Sequence, residues 1–247
     1  MKALKRIAPI LLTGVLLLAF TACSGGGDKQ LVMATNAAFP PYEYYENEKI
    51  VGIDAEIAEA IAKKLDMELK IEDMEFGSII TAVQTGKVDM GMAGMTITED
   101  RLISVNFSTP YTTASQVIIV TEDSDITSVD DLADKSIGVQ ESTTGDIYIS
   151  DEFPEADVQR YSKGVEAVQA LIQGKVSAVV IDSEPAKVFV NQNEGLNILP
   201  EAYTTEEYAI AVSKKNGALL DKLNTALAEL TEDGTIQRII DKYISAD

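Results

Sequence analysis

The chain has 247 residues, with 40 acidic and 20 basic side chains, no histidine, no tryptophan and a single cysteine. Its net charge of −20 repels phosphate backbones, so we expect no nucleic-acid partner. Without histidine the chain has no Ser-His-Asp triad and no histidine metal site, and we expect neither a metal nor a cofactor. The single cysteine excludes an intramolecular disulfide.

The first 22 residues have the layout of a secretory signal peptide. Three basic residues within the first six precede an apolar run of about 14 residues that ends at Phe20. A transmembrane anchor is the alternative, but spanning a bilayer takes roughly 20 apolar residues. No second run of membrane length follows in the sequence.

The segment Phe20-Thr21-Ala22-Cys23 resembles the lipobox of bacterial lipoproteins, with Phe20 where leucine is usual. The resemblance implies that Cys23 is diacylated, becomes the N-terminus and anchors the protein to the outside of the cell membrane. The glycines that follow predict a flexible tether. We therefore assign residues 1–22 to a signal peptide and 23–30 to a lipidated N-terminus and linker.

Strands and helices alternate in two units. In the first unit we predict strands at 31–35, 67–71 and 88–93 and helices at 54–65, capped by Asp54, and 78–85, capped by Ser78. In the second we predict strands at 136–140, 157–161 and 177–181 and helices at 145–151 and 165–173. This order indicates parallel sheets with helices on both faces.

Two β-branched runs, 116–121 and 208–212, indicate crossings between the units. Helices predicted at 218–230 and 235–244 then return to the first unit. The expected fold is α/β with two lobes, two hinge strands and a ligand cleft between the lobes. Lobe 1 comprises 31–116 plus 208–247, and lobe 2 comprises 117–207.

Ligands of open α/β sheets bind beyond the carboxyl ends of the strands, and the residues at these ends suit a zwitterion. Arg101 offers a planar fork to a carboxylate. Asp182 can accept from an ammonium group, and the N–H groups at Thr143 and Thr144 open a helix and suit an anion. The alternatives are an ordinary surface role for Arg101 and simple helix capping for Asp182 and the threonines.

Four segments, 35–43, 51–54, 93–101 and 233–235, resemble the polar amino-acid-binding proteins of ABC importers, which form family 3 of the bacterial extracellular solute-binding proteins. The resemblance runs from about Leu31 to the C-terminus. It implies the type II periplasmic-binding-protein fold, whose two lobes close on the ligand.

The resemblance also implies roles for individual residues. Arg101 would pair with the ligand α-carboxylate, Thr96 and the backbone of Gly94 would hold the α-groups, Thr144 would donate to the carboxylate, and Asp182 would accept from the α-ammonium. The full expected set is Asn36, Phe39, Phe76, Gly94, Met95, Thr96, Arg101, Gln140, Thr143, Thr144 and Asp182, with Phe39 and Phe76 flanking the ligand side chain.

Asn36 departs from the pattern of cationic amino-acid binders, which commonly carry an acid there. Glu43, Asp54 or Glu141 would then have to supply the charge for a cationic ligand. We therefore expect a polar amino acid and leave its charge open.

The resulting expectation is a monomeric exported lipoprotein that captures a free amino acid, delivers it to an ABC permease and performs no catalysis. One alternative is a stand-alone sensor or adhesin. The other is an enzyme similar to exported cyclohexadienyl dehydratases, for which Glu43 and Glu141 are the nearby acid–base candidates.

Overall fold

The computed structural model describes residues 30–244. The predicted signal peptide, Cys23 and nearly all of the predicted linker lie outside these described residues. Within them the chain forms two lobes, each built on one sheet and covered by helices. No helix of residues 30–244 is long and apolar enough to cross a membrane.

The first lobe is built on a five-stranded mixed sheet and carries a separate three-stranded hairpin sheet. Its elements are β1 (Gln30–Thr35), β2 (Ala38–Phe39), β3 (Glu43–Glu46), β4 (Lys49–Val51), α1 (Ile53–Lys64), β5 (Glu68–Asp73), α2 (Phe76–Thr85), β6 (Met90–Gly91), α3 (Glu99–Ser104) and β7 (Val105–Phe107). In the main sheet β1 lies between β5 and β6 and is parallel to both. Helix α1 buries Ile53, Ile57 and Ile61, spaced one turn apart, against this lobe.

The second lobe contains a six-stranded sheet. Its elements are β8 (Thr112–Thr121), a short 3₁₀ helix (Val129–Leu132), β9 (Ser136–Gln140), α4 (Thr144–Glu152), β10 (Asp157–Tyr161), α5 (Gly164–Ile172), β11 (Ala178–Asp182), α6 (Ser183–Gln192), β12 (Leu196–Ile198) and β13 (Thr204–Tyr208). The strand order is β10-β9-β11-β8-β12, and β13 also pairs with β8. Every residue of β11 is buried, as is typical of a strand covered on both faces.

The chain crosses between the sheets twice. It leaves the first sheet after β7 and enters the second at β8, and it returns between β13 and β14 (Ala211–Ser213). Helices α7 (Gly217–Glu232) and α8 (Thr235–Tyr243) then pack against α1. The two-lobed α/β architecture is therefore confirmed.

The predicted crossing segments differ from the observed ones. The run 116–121 lies inside β8, which is paired along its length and belongs wholly to the second sheet. The run 208–212 is not one strand, because β13 and β14 belong to different sheets. The chain crosses between the two sheets at 108–111 and at 209–210. The predicted lobe boundaries, 31–116 plus 208–247 and 117–207, remain a prediction.

Two predicted helix caps are wrong. Gly52 holds the N-cap position of α1, and Asp54 lies fully buried in the first turn, where groups from neighbouring segments satisfy its carboxylate. Ser78 lies inside α2, which begins at Phe76. The hairpin formed by β2, β3 and β4 was not predicted, because its strands are only two to four residues long.

Candidate functional site

A cavity lies between the two lobes, where the parallel strands of both sheets end. The lining residues are Asn36, Phe39, Glu43, Phe76, Ala93, Gly94, Thr96, Arg101, Gln140, Thr143, Thr144 and Asp182. Ten of the eleven predicted site residues are among them.

Met95 is the predicted site residue that the structure does not bring to the cavity. Its side chain is fully buried and belongs to the apolar cluster that includes Val105 and Ala211. Successive side chains of an extended chain point in opposite directions, so Thr96 lines the cavity while Met95 faces the core.

Arg101 lies on α3, whose first turn is capped by Thr98. Its Nη1 donates to the carbonyl oxygen of Thr96 at 2.7 Å, and its Nη2 donates to that of Ser142, in the second lobe, at 3.1 Å. The guanidinium carbon lies 5.2 Å from the ring centroid of Phe76, within the range of a cation–π contact. At 8% exposure Arg101 is not an ordinary surface residue.

The Arg101 guanidinium forms no ion pair with any carboxylate of residues 30–244. Burial lowers its pKa, although Glu206 and Asp182 lie near enough to counteract part of that effect. Arginine carries five N–H donors, so the remaining donors are available to an anion. A buried guanidinium without a carboxylate partner is suited to a ligand carboxylate.

Asp182 and Glu206 supply negative charge beside the same cavity. Asp182 ends β11, is buried and accepts a hydrogen bond from the Tyr208 hydroxyl. Burial, followed by the nearby Glu206 carboxylate, raises the pKa of Asp182 to about 7. Asp182 occupies the N-cap position of α6 but its side chain makes no capping bond, so helix capping does not explain it.

Glu206 is buried on β13 and joins the lobes. One carboxylate oxygen accepts from Thr96 Oγ1 at 2.8 Å and from Gln116 Nε2 at 3.1 Å. The other oxygen has no hydrogen-bond partner in the described residues. The pKa of Tyr148 rises to about 12, first through burial and then through Glu206. Asp182 and the Arg101 guanidinium thus line one cavity, and Glu206 binds a residue of its wall, an arrangement that complements a zwitterion.

Gly94 allows close packing at the first-lobe wall. Its φ of +53° lies in the left-handed region, and a Cβ there would lie 2.9 Å from the Phe39 ring and 3.2 Å from the Tyr208 ring. Its N–H donates to Asp54 at 2.9 Å. The predicted backbone role of Gly94 is therefore restricted to its carbonyl oxygen, because the amide is already used.

The second-lobe wall combines paired amides with a helix N-terminus. Gln140 Nε2 donates to Asn36 Oδ1 at 3.0 Å, which joins the two lobes. Thr143 caps α4 by accepting from the N–H of Asp146. Thr144 Oγ1 accepts from Gln116 Nε2 at 3.2 Å, while its backbone N–H lies in the first turn, where amides have no intrahelical partner. This end of α4 can bind an anion.

Gln116 and Glu206 are functional candidates that sequence reasoning missed. Glu43 was considered as a source of charge and as an acid–base candidate, and Asp54 as a source of charge and as a helix cap, but neither was in the predicted site. The sequence of β13, Thr-Thr-Glu-Glu-Tyr, gave no signal for Glu206, whose burial beside that of Tyr208 is seen only in the structure. Glu141 is exposed and lines a separate surface depression, so it does not reach the cavity. Residues 30–244 contain no group of three or more acidic, histidine or cysteine residues placed to hold a metal.

A family model for bacterial extracellular solute-binding proteins, family 3, matches residues 31–246. The chain belongs to this family. Members of this family are extracellular proteins, which agrees with the export signal predicted from the sequence. The match covers both lobes and the complete cavity.

Relatives with known names are described as binding proteins. The chain is 33% identical to the arginine-binding extracellular protein ArtP of Bacillus subtilis, over 99% of this chain and 100% of the relative. It is 41% identical, with a TM-score of 0.84, to an ancestral arginine-binding protein solved with arginine, over 87% of this chain and 98% of that one. An ancestral amino-acid-binding precursor of cyclohexadienyl dehydratase matches with a TM-score of 0.81 and 32% identity, over 87% and 95% of the two chains.

Proposed function

We propose that the protein captures a polar amino acid outside the cell membrane and delivers it to the permease of an ABC transporter. The observation that carries the proposal is the cavity lined by the unpaired Arg101 guanidinium and the buried carboxyl group of Asp182, with the buried Glu206 carboxylate bound to Thr96 of the lining. These groups complement an α-carboxylate and an α-ammonium group. The names of the relatives support an amino-acid ligand.

We further propose a cationic amino acid, with L-arginine as the first candidate. Glu43 lines the cavity and is fully buried, so it can supply the charge that Asn36 lacks. Phe39 and Phe76 also line the cavity and can flank the aliphatic part of a long side chain. The arginine-binding relatives support this assignment.

A thermal-shift screen of the purified mature protein against the twenty amino acids tests the proposal. A ligand that binds only the folded state stabilises it by about 2.7 kcal/mol at a hundredfold excess over Kd. We expect L-arginine to raise the Tm most and acidic amino acids to leave it unchanged. A Tm that no amino acid raises would contradict the proposal.

Membrane anchoring through Cys23 and a monomeric state complete the proposed function. Cys23→Ser should leave the protein in the soluble fraction or leave the signal peptide uncleaved, without altering ligand binding. A variant that remains membrane-bound after signal cleavage would show that the anchor lies elsewhere. Size-exclusion chromatography with light scattering tests the monomer.

A catalytic role in the same cavity is the second candidate, since one structural neighbour is described as a precursor of a dehydratase. We propose that the chain performs no catalysis, because its named relatives are binding proteins. Mass spectrometry of the bound ligand after prolonged incubation separates the two functions. Recovery of unchanged ligand supports binding alone, and a product would assign an enzyme.

A further inference from the structure

Two buried carboxyl groups lie next to each other in the first lobe, that of Glu43, which lines the cavity, and that of Asp54 behind it. Neither side-chain oxygen of Glu43 accepts a hydrogen bond from a donor in residues 30–244. Asp54, by contrast, accepts from the N–H of Gly94 at 2.9 Å and from the hydroxyl of Tyr111 at 2.8 Å. Hydrogen bonds stabilise the charged form of Asp54, so a proton shared by the pair resides mainly on Glu43.

The surroundings of Glu43 disfavour a second negative charge. The titratable groups that face it or border its cavity are Asp54, Asp182, Tyr42, Tyr111 and Arg101. Burial, reinforced by Asp54, raises the pKa of Glu43 well above its ordinary value, and burial raises the pKa of Asp54 to about 6. The two side chains are close enough to hydrogen-bond once one of them is protonated.

We propose that a cationic ligand head group displaces the proton held by Glu43, so that ligand capture releases one proton to the solvent. This inference rests on the proposed function, because it requires a cation in this cavity. The O–H bond of Glu43 breaks, the proton passes to the bulk buffer, and the carboxylate left behind pairs with the ligand cation. A neutral ligand side chain supplies no compensating charge, so Glu43 keeps its proton.

The exchange would give the site a pH-dependent preference for cations. When binding releases a proton, lowering the pH opposes binding through linkage. Affinity for a cationic ligand therefore falls faster with decreasing pH than affinity for a neutral ligand of the same shape. The pair thus couples ligand choice to the acidity outside the membrane.

Isothermal titration calorimetry of the purified mature protein near neutral pH tests this coupling. Titrations in buffers of different ionisation enthalpy count the protons released with L-arginine and with L-citrulline, its neutral isostere. Both carry the same α-groups, so any proton released from Asp182 contributes equally to the two counts. We expect about one more proton released with L-arginine than with L-citrulline.

Two variants localise the proton. Glu43→Gln should remove the excess release and weaken L-arginine binding more than L-citrulline binding. Glu141→Gln makes the same charge change at an exposed residue outside the cavity and should leave both counts unchanged. On the wild-type protein, difference infrared spectroscopy should show that L-arginine removes more protonated-carboxyl C=O absorption than L-citrulline does, a readout that does not depend on the folding of Glu43→Gln.

Two results would overturn the inference while leaving the proposed function intact. One is measurable L-arginine binding whose proton release equals that of L-citrulline. The other is an L-arginine difference spectrum whose loss of protonated-carboxyl absorption is no larger than that caused by L-citrulline. Failure of the proposed function is recognised separately, because no amino acid would then give a binding heat.

Discussion

Replacing Arg101 with alanine removes the guanidinium that we propose pairs with the ligand carboxylate. Truncating one partner of a buried charge pair typically costs 2–5 kcal/mol, or about thirtyfold to several thousandfold in Kd. The variant also loses the bond from Arg101 to the carbonyl of Thr96 and the bond to the carbonyl of Ser142, the second of which joins the two lobes. Because the bond to Ser142 supports closure, we expect a loss in the upper half of this range in calorimetric titrations with L-arginine.

Two companion variants separate recognition from general damage. Arg101→Lys keeps the charge but not the planar fork, so it should also bind clearly more weakly than the wild type. Arg238→Ala removes an exposed arginine on α8 and should change binding by no more than about 0.5 kcal/mol. A folded Arg101→Ala protein whose Kd lies within about threefold of the wild type would remove Arg101 from the site, since threefold corresponds to less than 1 kcal/mol.

Three further predictions concern pH, backbone conformation and closure. Because the pKa of Asp182 is raised from 3.8 to about 7, the free protein should lose stability in urea unfolding as the pH rises through this interval, and Asp182→Asn should lessen that loss. Affinity for the neutral L-citrulline, which leaves the proton of Glu43 in place, should rise by up to about tenfold per pH unit over the same interval, and Asp182→Asn should abolish this rise. Gly94→Ala should lower the free energy of unfolding by more than Gly86→Ala does. Both glycines have positive φ, but only at Gly94 would a Cβ lie against the Phe39 ring. Equal losses of unfolding free energy would refute this. Saturating L-arginine should reduce the radius of gyration in small-angle scattering as the lobes close about the crossings at 108–111 and 209–210, and an unchanged radius would count against a hinge.

Site residues could be predicted from the sequence where the order of strands and helices along the chain determines their positions. Asn36 and Asp182 follow buried parallel strands, and the carboxyl ends of such strands meet at one edge of a sheet. Arg101 was identified because it ends the segment 93–101, which resembles the corresponding segment of family 3 binding proteins. These residues gather at the cavity because the topology, which alternation of strands and helices predicts, brings the strand ends together.

The missed features depend on contacts distant in sequence. Glu206 bonds to Thr96, which is 110 residues away, and nothing near either residue indicates that pairing. Asp54 has the residue type that predicts a helix cap at the start of α1. Its carboxylate instead lies in the interior, where it accepts hydrogen bonds from the N–H of Gly94 and the hydroxyl of Tyr111. Strand β8 was shortened in the prediction because its first residues are polar, although pairing with β13 extends it to Thr112.

The most direct test of the central claim compares L-arginine with agmatine, which has the same guanidinium side chain but no α-carboxylate. Both are titrated into the purified mature protein by calorimetry. If Arg101 holds the ligand carboxylate in a closed cavity, L-arginine binds with one site per chain and agmatine binds at least about thirtyfold more weakly. Equal affinities for the two compounds, or no binding of L-arginine, would contradict the account.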